Sequence, residues 1–112
     1  MERDPYDIDA HAPGAKLDAG KNRFGLVLGD FSRALCAVGD VGTYGAVKYT
    51  DHGWIDVPHG IERYTDAMYR HLLADAAGEA CDKDTGILHA AHAAWNALAR
   101  LDLMLREDKN HA

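Results

Sequence analysis

His89, His92 and Asn96 fall at i, i+3 and i+7. A helix through them sets two imidazoles and an amide on one side, beside an apolar seam. Two histidines three residues apart can grip one metal ion or one phosphate; they can equally be core-edge histidines bonded to backbone carbonyls. Upstream, Glu79-x-x-Asp82-x-Asp84 follows His71. Carboxylates at that spacing, if helical, point the same way and can share a hard divalent cation, which bridges phosphate oxygens and activates a water. The other reading is a solvated acidic loop before the next helix, since carboxylates favour a helix N-terminus.

A second set of residues could meet anionic ligands. Lys16-x-Asp18-x-Gly20-Lys21-x-Arg23 places three cations on a glycine-bearing arm. Such an arm can fold over a phosphate, or remain a basic tail that binds nothing. Tyr44-Gly-Ala-x-Lys48-Tyr49 with Trp54 puts aromatic faces near a cation, as base stacking with a phosphate contact would need and as an ordinary core would also produce. Arg70, beside His71, can reach a phosphate or an acid of its own chain. The chain has no GxxxxGK[ST] loop and no GxSxG elbow, and neither Cys36 nor Cys81 has a partner suggesting a nucleophile dyad. Covalent catalysis is not expected.

These residues need elements to position them. Phe31, Leu35, Val38, Val41 and Tyr44/Gly45 recur at helical spacing, which predicts a helix from Asp30 as N-cap. It contains Gly39, Gly42 and Gly45, which either let another backbone or a ligand come close or break the helix. Turns are expected at Asp51–Trp54 and Pro58–Gly60, then a helix from Ile61 to Ala76 with Ile61, Tyr64, Met68 and Leu72 inward. Gly78 to Thr85 reads as an acidic loop. A third helix is expected from Thr85, as N-cap, to Arg106, with an apolar stripe of Leu88, Ala91, Trp95, Leu98, Leu101 or Asp102, and Leu105. No segment reads as a strand. The expected fold is all-α: a small helical bundle with an extended N-terminal arm, completed by self-association. Its expected divisions are a flexible tail at 1–13, one helical nucleotide-binding domain at 14–106 and a C-terminal tail at 107–112.

The totals agree with one domain. The chain has 112 residues, 47% of them apolar and 27% charged. A core that short is modest, so helix faces are expected to be hidden by a second copy. The net charge of −6 argues against a nucleic-acid partner, whereas local cations can hold a small nucleotide on an acidic protein. Apolar runs fall far short of the roughly 18 residues of a membrane span, and export is not expected, since the first residues do not combine a basic start, an apolar stretch and a small-residue cleavage site. With two separated cysteines and no CxxC pair, a cytoplasmic protein is expected, in the host cytoplasm if the source is viral.

Several blocks in order carry a resemblance. Gly14-Ala-Lys-Leu-Asp-Ala-Gly-Lys21, Tyr44-Gly-Ala-Val-Lys-Tyr49 with Trp54, Arg63-Tyr64, Arg70-His71-Leu72, Gly78-Glu79-x-x-Asp82-x-x-Thr85-Gly86 and His89-x-x-His92-x-x-x-Asn96 span roughly residues 14–101. Together they resemble the phage dATP/dGTP diphosphohydrolase N-terminal domain, placed with the MazG-like all-α nucleoside triphosphate pyrophosphohydrolases. The resemblance implies an enzyme that cleaves a purine deoxynucleoside triphosphate to the monophosphate and pyrophosphate, with Mg²⁺ or Mn²⁺, as a dimer or larger assembly. On this chain Glu79 and Asp82 are expected to hold the cation as catalytic residues, with His71 and His92 either completing its shell or positioning water. The resemblance implies Lys16, Lys21, Arg23, Lys48, Tyr49, Trp54, Arg70 and Asn96 as substrate contacts. The MazG-like group carries Glu-x-x-Glu on one helix and Glu-x-x-Asp on a later one; here Arg70-His71 stands where the first pair is expected. Imidazole ligands favour Mn²⁺ over Mg²⁺. The poverty of paired carboxylates also fits an alternative, a non-catalytic phage protein that sequesters a nucleotide.

Overall fold

A computed structural model describes the backbone of residues 2–111 and the side chains through Glu107. Met1 and Ala112, the ends of the two expected tails, lie outside the described residues. The chain divides into two compact units at Asp30 and Phe31.

The N-terminal unit is a series of turns. The buried Asp4 carboxylate organises it: Oδ1 accepts the N–H groups of Tyr6 at 3.0 Å and Ile8 at 2.8 Å, and Oδ2 that of Lys16 at 3.4 Å. One charged acceptor thereby satisfies several donors that a turn leaves without ladder partners. Arg3 and Asp9 form an isolated antiparallel bridge, and a single helical turn, α1 (Gly25–Leu28), ends the unit.

The C-terminal unit contains α2 (Ser32–Lys48), a 3₁₀ turn (Gly53–Asp56), α3 (Gly60–Ala76) and α4 (His89–His111). The all-α expectation holds: the only β-type pairings among the described residues are isolated bridges. α3 and α4 form the main pair and run antiparallel. His71 meets His89 at one end, Thr65 meets Arg100 in the middle, and Leu103 lies against Gly60 at the other end. α2 packs on α4, and the 3₁₀ turn on α3.

Several boundaries differ from expectation. α2 begins after Asp30, with Phe31 as its N-cap and no side-chain cap, and stays unbroken through all three glycines. Gly42 shows why one of them is needed: a Cβ there would lie 3.3 Å from Trp95 Nε1, so the bare backbone lets the indole approach. Thr85 does not start α4. Gly86 adopts φ +72°, which breaks the helical path, and α4 starts at His89 and runs on past Arg106.

The inward faces differ too. On α3, Ile61, Tyr64 and Met68 are half-buried, but His71 takes the next inward position and Leu72 is 46% exposed. On α4 the buried residues are His89, Ala91, His92, Ala93, Asn96 and Ala99, while Leu98, Leu101 and Leu105 are half exposed. The imidazoles of His89 and His92 meet His71 of α3 and fill the space at that end of the helix pair. Trp54, Tyr64 and Trp95 form an edge-to-face cluster with centroids 5.5–6.4 Å apart, and the Tyr64 hydroxyl donates to the Trp54 carbonyl at 2.8 Å. This cluster fastens the 3₁₀ turn across α3 and α4. No helix among the described residues is long and apolar enough to cross a membrane.

Candidate functional site

The loop between α3 and α4 folds back on itself to aim its acids. Cys81 pairs with Leu88 as an isolated bridge, the Asp82 N–H donates to the Ile87 carbonyl, and the His89 N–H donates to the Ala80 carbonyl. Asp82 Oδ1 accepts the N–H groups of Asp84 at 2.9 Å and Thr85 at 3.0 Å. Burial works to raise the Asp82 pKa, but these N–H donors and the nearby His92 outweigh it and hold the carboxyl below its ordinary value. The two acids are therefore not on a helix face, yet both reach the imidazoles.

Glu79 Oε1 lies 3.2 Å from Nε2 of His89, whose side chain is only 5% exposed. A carboxylate only accepts, so Nε2 of His89 donates to Glu79. Nδ1 of His89 lies 2.8 Å from Nδ1 of His71. Donor atoms of His71, Asp82 and His89 all fall within 4.8 Å of one another, which is the spacing of a metal-ligand set. The two Nδ1 atoms suit neighbouring corners of an octahedral shell, about 3 Å apart for metal–nitrogen bonds of about 2.1 Å. The Glu79 carboxylate behind His89 is the outer support that metal-bound histidines usually have.

His92 stands beside that set. Its ring stacks on His71 with centroids 4.5 Å apart and planes 9° apart, and its Nε2 lies 2.8 Å from Thr85 Oγ1. Thr85 Oγ1 also accepts the Ile87 N–H at 3.1 Å, so its own proton is free for His92. Burial lowers the pKa of both His71 and His92; His92 and His89 depress His71 further, and His89 depresses His92. His71 and His92 are thus biased toward the neutral form, which ligates a cation or accepts a proton.

The other expected residues are spread more widely. Asn96 is buried and gives its Nδ2 to the His92 carbonyl at 2.9 Å, a bond within its own helix. Arg70 is exposed on α3 next to His71. Lys48 ends α2, exposed, with its ammonium 5.3 Å over the Tyr49 ring; the Tyr49 hydroxyl raises its pKa. Tyr49 is 73% exposed, and Trp54 belongs to the aromatic cluster. Lys16, Lys21 and Arg23 lie exposed in the N-terminal unit. His89, a candidate by its spacing from His92 but not among the expected metal-holding residues, is the most buried imidazole. Sequence reasoning left out Thr85, for which capping propensity gave a different role.

Residues 11–112 match the family described as "dATP/dGTP diphosphohydrolase, N-terminal". The chain belongs to this family. The order of blocks from Gly14 to Asn96 carried that likeness. A curated relative in the dATP/dGTP diphosphohydrolase family, named "dATP/dGTP diphosphohydrolase" and from Salmonella phage PMBT28, is 36% identical over 81 residues. The match covers 72% of this chain and 26% of the relative, so the chain spans about a quarter of that protein's length. No solved structure matches the chain.

Proposed function

We propose that this domain binds a purine deoxynucleoside triphosphate and hydrolyses it to the monophosphate and pyrophosphate, with Mn²⁺ or Mg²⁺ held by His71, Asp82 and His89. The observation that carries the reading is the convergence of those three donor groups within 4.8 Å, backed by Glu79. The family membership and the name of the phage relative supply the reaction class. The imidazole-rich donor set favours Mn²⁺.

When bound, the cation would neutralise charge on the phosphate oxygens and lower the pKa of an attacking water. The chain's residues do the rest. Glu79 fixes the orientation of His89. Thr85 gives its hydroxyl proton to Nε2 of the neutral His92 while its Oγ1 takes a proton from a water whose oxygen attacks the α-phosphorus. The α–β anhydride bond breaks, and pyrophosphate leaves with the bond's electron pair. Arg70, exposed beside His71, and Lys48 at the end of α2 supply positive charge for the phosphates. Asn96 sets the α4 backbone under His92 and needs no contact with substrate. Self-association through the exposed apolar row Tyr69, Leu72 and Leu73 of α3 completes the proposal.

The test is purified protein with dATP or dGTP and Mn²⁺, with products separated by anion exchange. Monophosphate and pyrophosphate that disappear with a chelator support the reading; no product from any deoxynucleoside triphosphate contradicts it. One observation favours sequestration without turnover: Glu79 is committed to His89 and Asp82 Oδ1 to two N–H groups, which leaves few free carboxylate oxygens. Tight nucleotide binding without metal, the ligand recovered intact, would select that reading.

A further inference from the structure

We infer that the groove between α2 and α4 is a base subsite in which Asp102 and Arg106 read the edge of a guanine. The inference rests on the nucleotide-binding reading above and names the base it selects. The groove holds about 420 Å³, within the usual range for small-ligand sites. Val38, Gly39 and Gly42 of α2, Trp54, and Trp95 and Leu98 of α4 give it apolar and aromatic walls, and among the described residues Asp102 is the one charged residue lining it. A wholly apolar occupant would strip water from that carboxylate without replacing its hydrogen bonds. The occupant that fits is flat, largely apolar and edged with donors.

Asp102 Oδ2 accepts Arg106 Nε at 2.6 Å, which leaves Oδ1 for a ligand. The Arg106 guanidinium lies 5.5 Å over the Trp54 ring, beside the same opening. Guanine carries adjacent N1–H and N2–H donors next to its O6 acceptor. Asp102 can take the donors while Arg106 donates to O6. Adenine presents an unprotonated N1 to the same carboxylate, acceptor against acceptor. Trp95, one turn beyond His92, is the groove's near end on α4, and Asp102 lies ten residues beyond His92, about 15 Å along the helix. An extended nucleoside triphosphate spans that interval, base in the groove and phosphates at the imidazoles.

Both tryptophans of the chain line the groove, so intrinsic fluorescence reports its occupancy. Guanosine, adenosine, dGTP and dATP are titrated by fluorescence, with equilibrium dialysis of the two triphosphates in parallel. Guanosine is expected to quench at a concentration about tenfold or more below adenosine, and Asp102→Asn to erase that difference. Gly39→Leu is the second variant: a Cβ there meets nothing within 4 Å, so α2 keeps its place while the added bulk fills the groove and abolishes the quench. Bound dGTP that leaves the fluorescence unchanged, or a guanine preference that survives Asp102→Asn, overturns the subsite alone. Fluorescence that follows protein concentration instead of nucleoside overturns it in favour of a second copy in the groove. No dialysis binding of either triphosphate overturns the nucleotide reading as well.

Discussion

Two of the clustered imidazoles, His71 and His92, set how the site responds to protons. His71 and His92 have depressed pKa values in the folded chain, first from burial and then from neighbouring imidazoles. Unfolded, each titrates near the ordinary 6.5. Stability is therefore greatest above pH about 6.5 and falls below it, because the unfolded chain takes up protons that the folded pair refuses. The depressed Asp82 adds a further loss below its ordinary 3.8. A thermal-unfolding series from pH 8 to pH 4.5 should show Tm falling on the acid side; a flat profile would contradict the depressed pKa values of His71 and His92. Glu79→Gln keeps an acceptor for the His89 Nε2 proton but removes the charge behind it. It should weaken metal binding by about 10–100-fold with little change in Tm. At this scale the sequence was informative where spacing alone brings groups together, as for His89 and His92. It could not show that Glu79 reaches His89 or that Thr85 reaches His92, because both contacts depend on how the loop closes.

The loop from Gly78 to Leu88 acts as an element although it is neither helix nor strand. Asp82 does two jobs in it, holding the turn through Oδ1 and facing His71 and His89. The two jobs separate by substitution. Asp82→Asn can still accept both turn N–H groups, so it should fold near normally and lose metal affinity. Asp82→Ala loses both hydrogen bonds and should also cost about 1–3 kcal/mol, several degrees of Tm in a domain this size. Equal Tm values for the two variants would show that the turn does not depend on the carboxyl oxygen. The α3 span was legible within a residue because its periodicity is strong. The start of α4 was not, since Thr85 has the right chemistry for a cap while Gly86 takes the chain off the helical path. The inward face of α4 was read only in part: Ala91 is buried and Trp95 half-buried as expected, but Leu88, Leu98, Leu101 and Leu105 are half exposed. Hydrophobicity favoured the leucines, whereas the buried positions of α4 are held by His89, His92, Asn96 and the small Ala91, Ala93 and Ala99.

For the whole molecule, the weak core is the main consequence. Among the described residues no large side chain is fully buried, and the buried apolar residues are Val41, Ala91, Ala93 and Ala99. Tyr69 at 54% and Leu73 at 70% exposure leave an apolar row on α3 that water disfavours. Sedimentation should give a dimer or larger species, with Tm rising with protein concentration, and Leu73→Glu should shift it toward monomer. A monomer mass at every concentration would contradict this. The all-α class was readable from periodicity and the absence of strand patterns, and the family from the order of its blocks. Composition alone identified neither the aromatic cluster nor the groove, because both depend on how α2, α3 and α4 meet.

The central claim is that His71, Asp82 and His89 together hold a divalent cation. Mn²⁺ titration followed by electron paramagnetic resonance tests it directly, because the free-ion signal fades as the ion is bound. Wild-type protein should remove one equivalent of Mn²⁺ per chain, and His89→Ala should leave the free signal intact while the helices persist by circular dichroism. A wild-type titration that leaves the signal unchanged, or a folded His89→Ala variant that binds Mn²⁺ as tightly as wild type, would contradict the account.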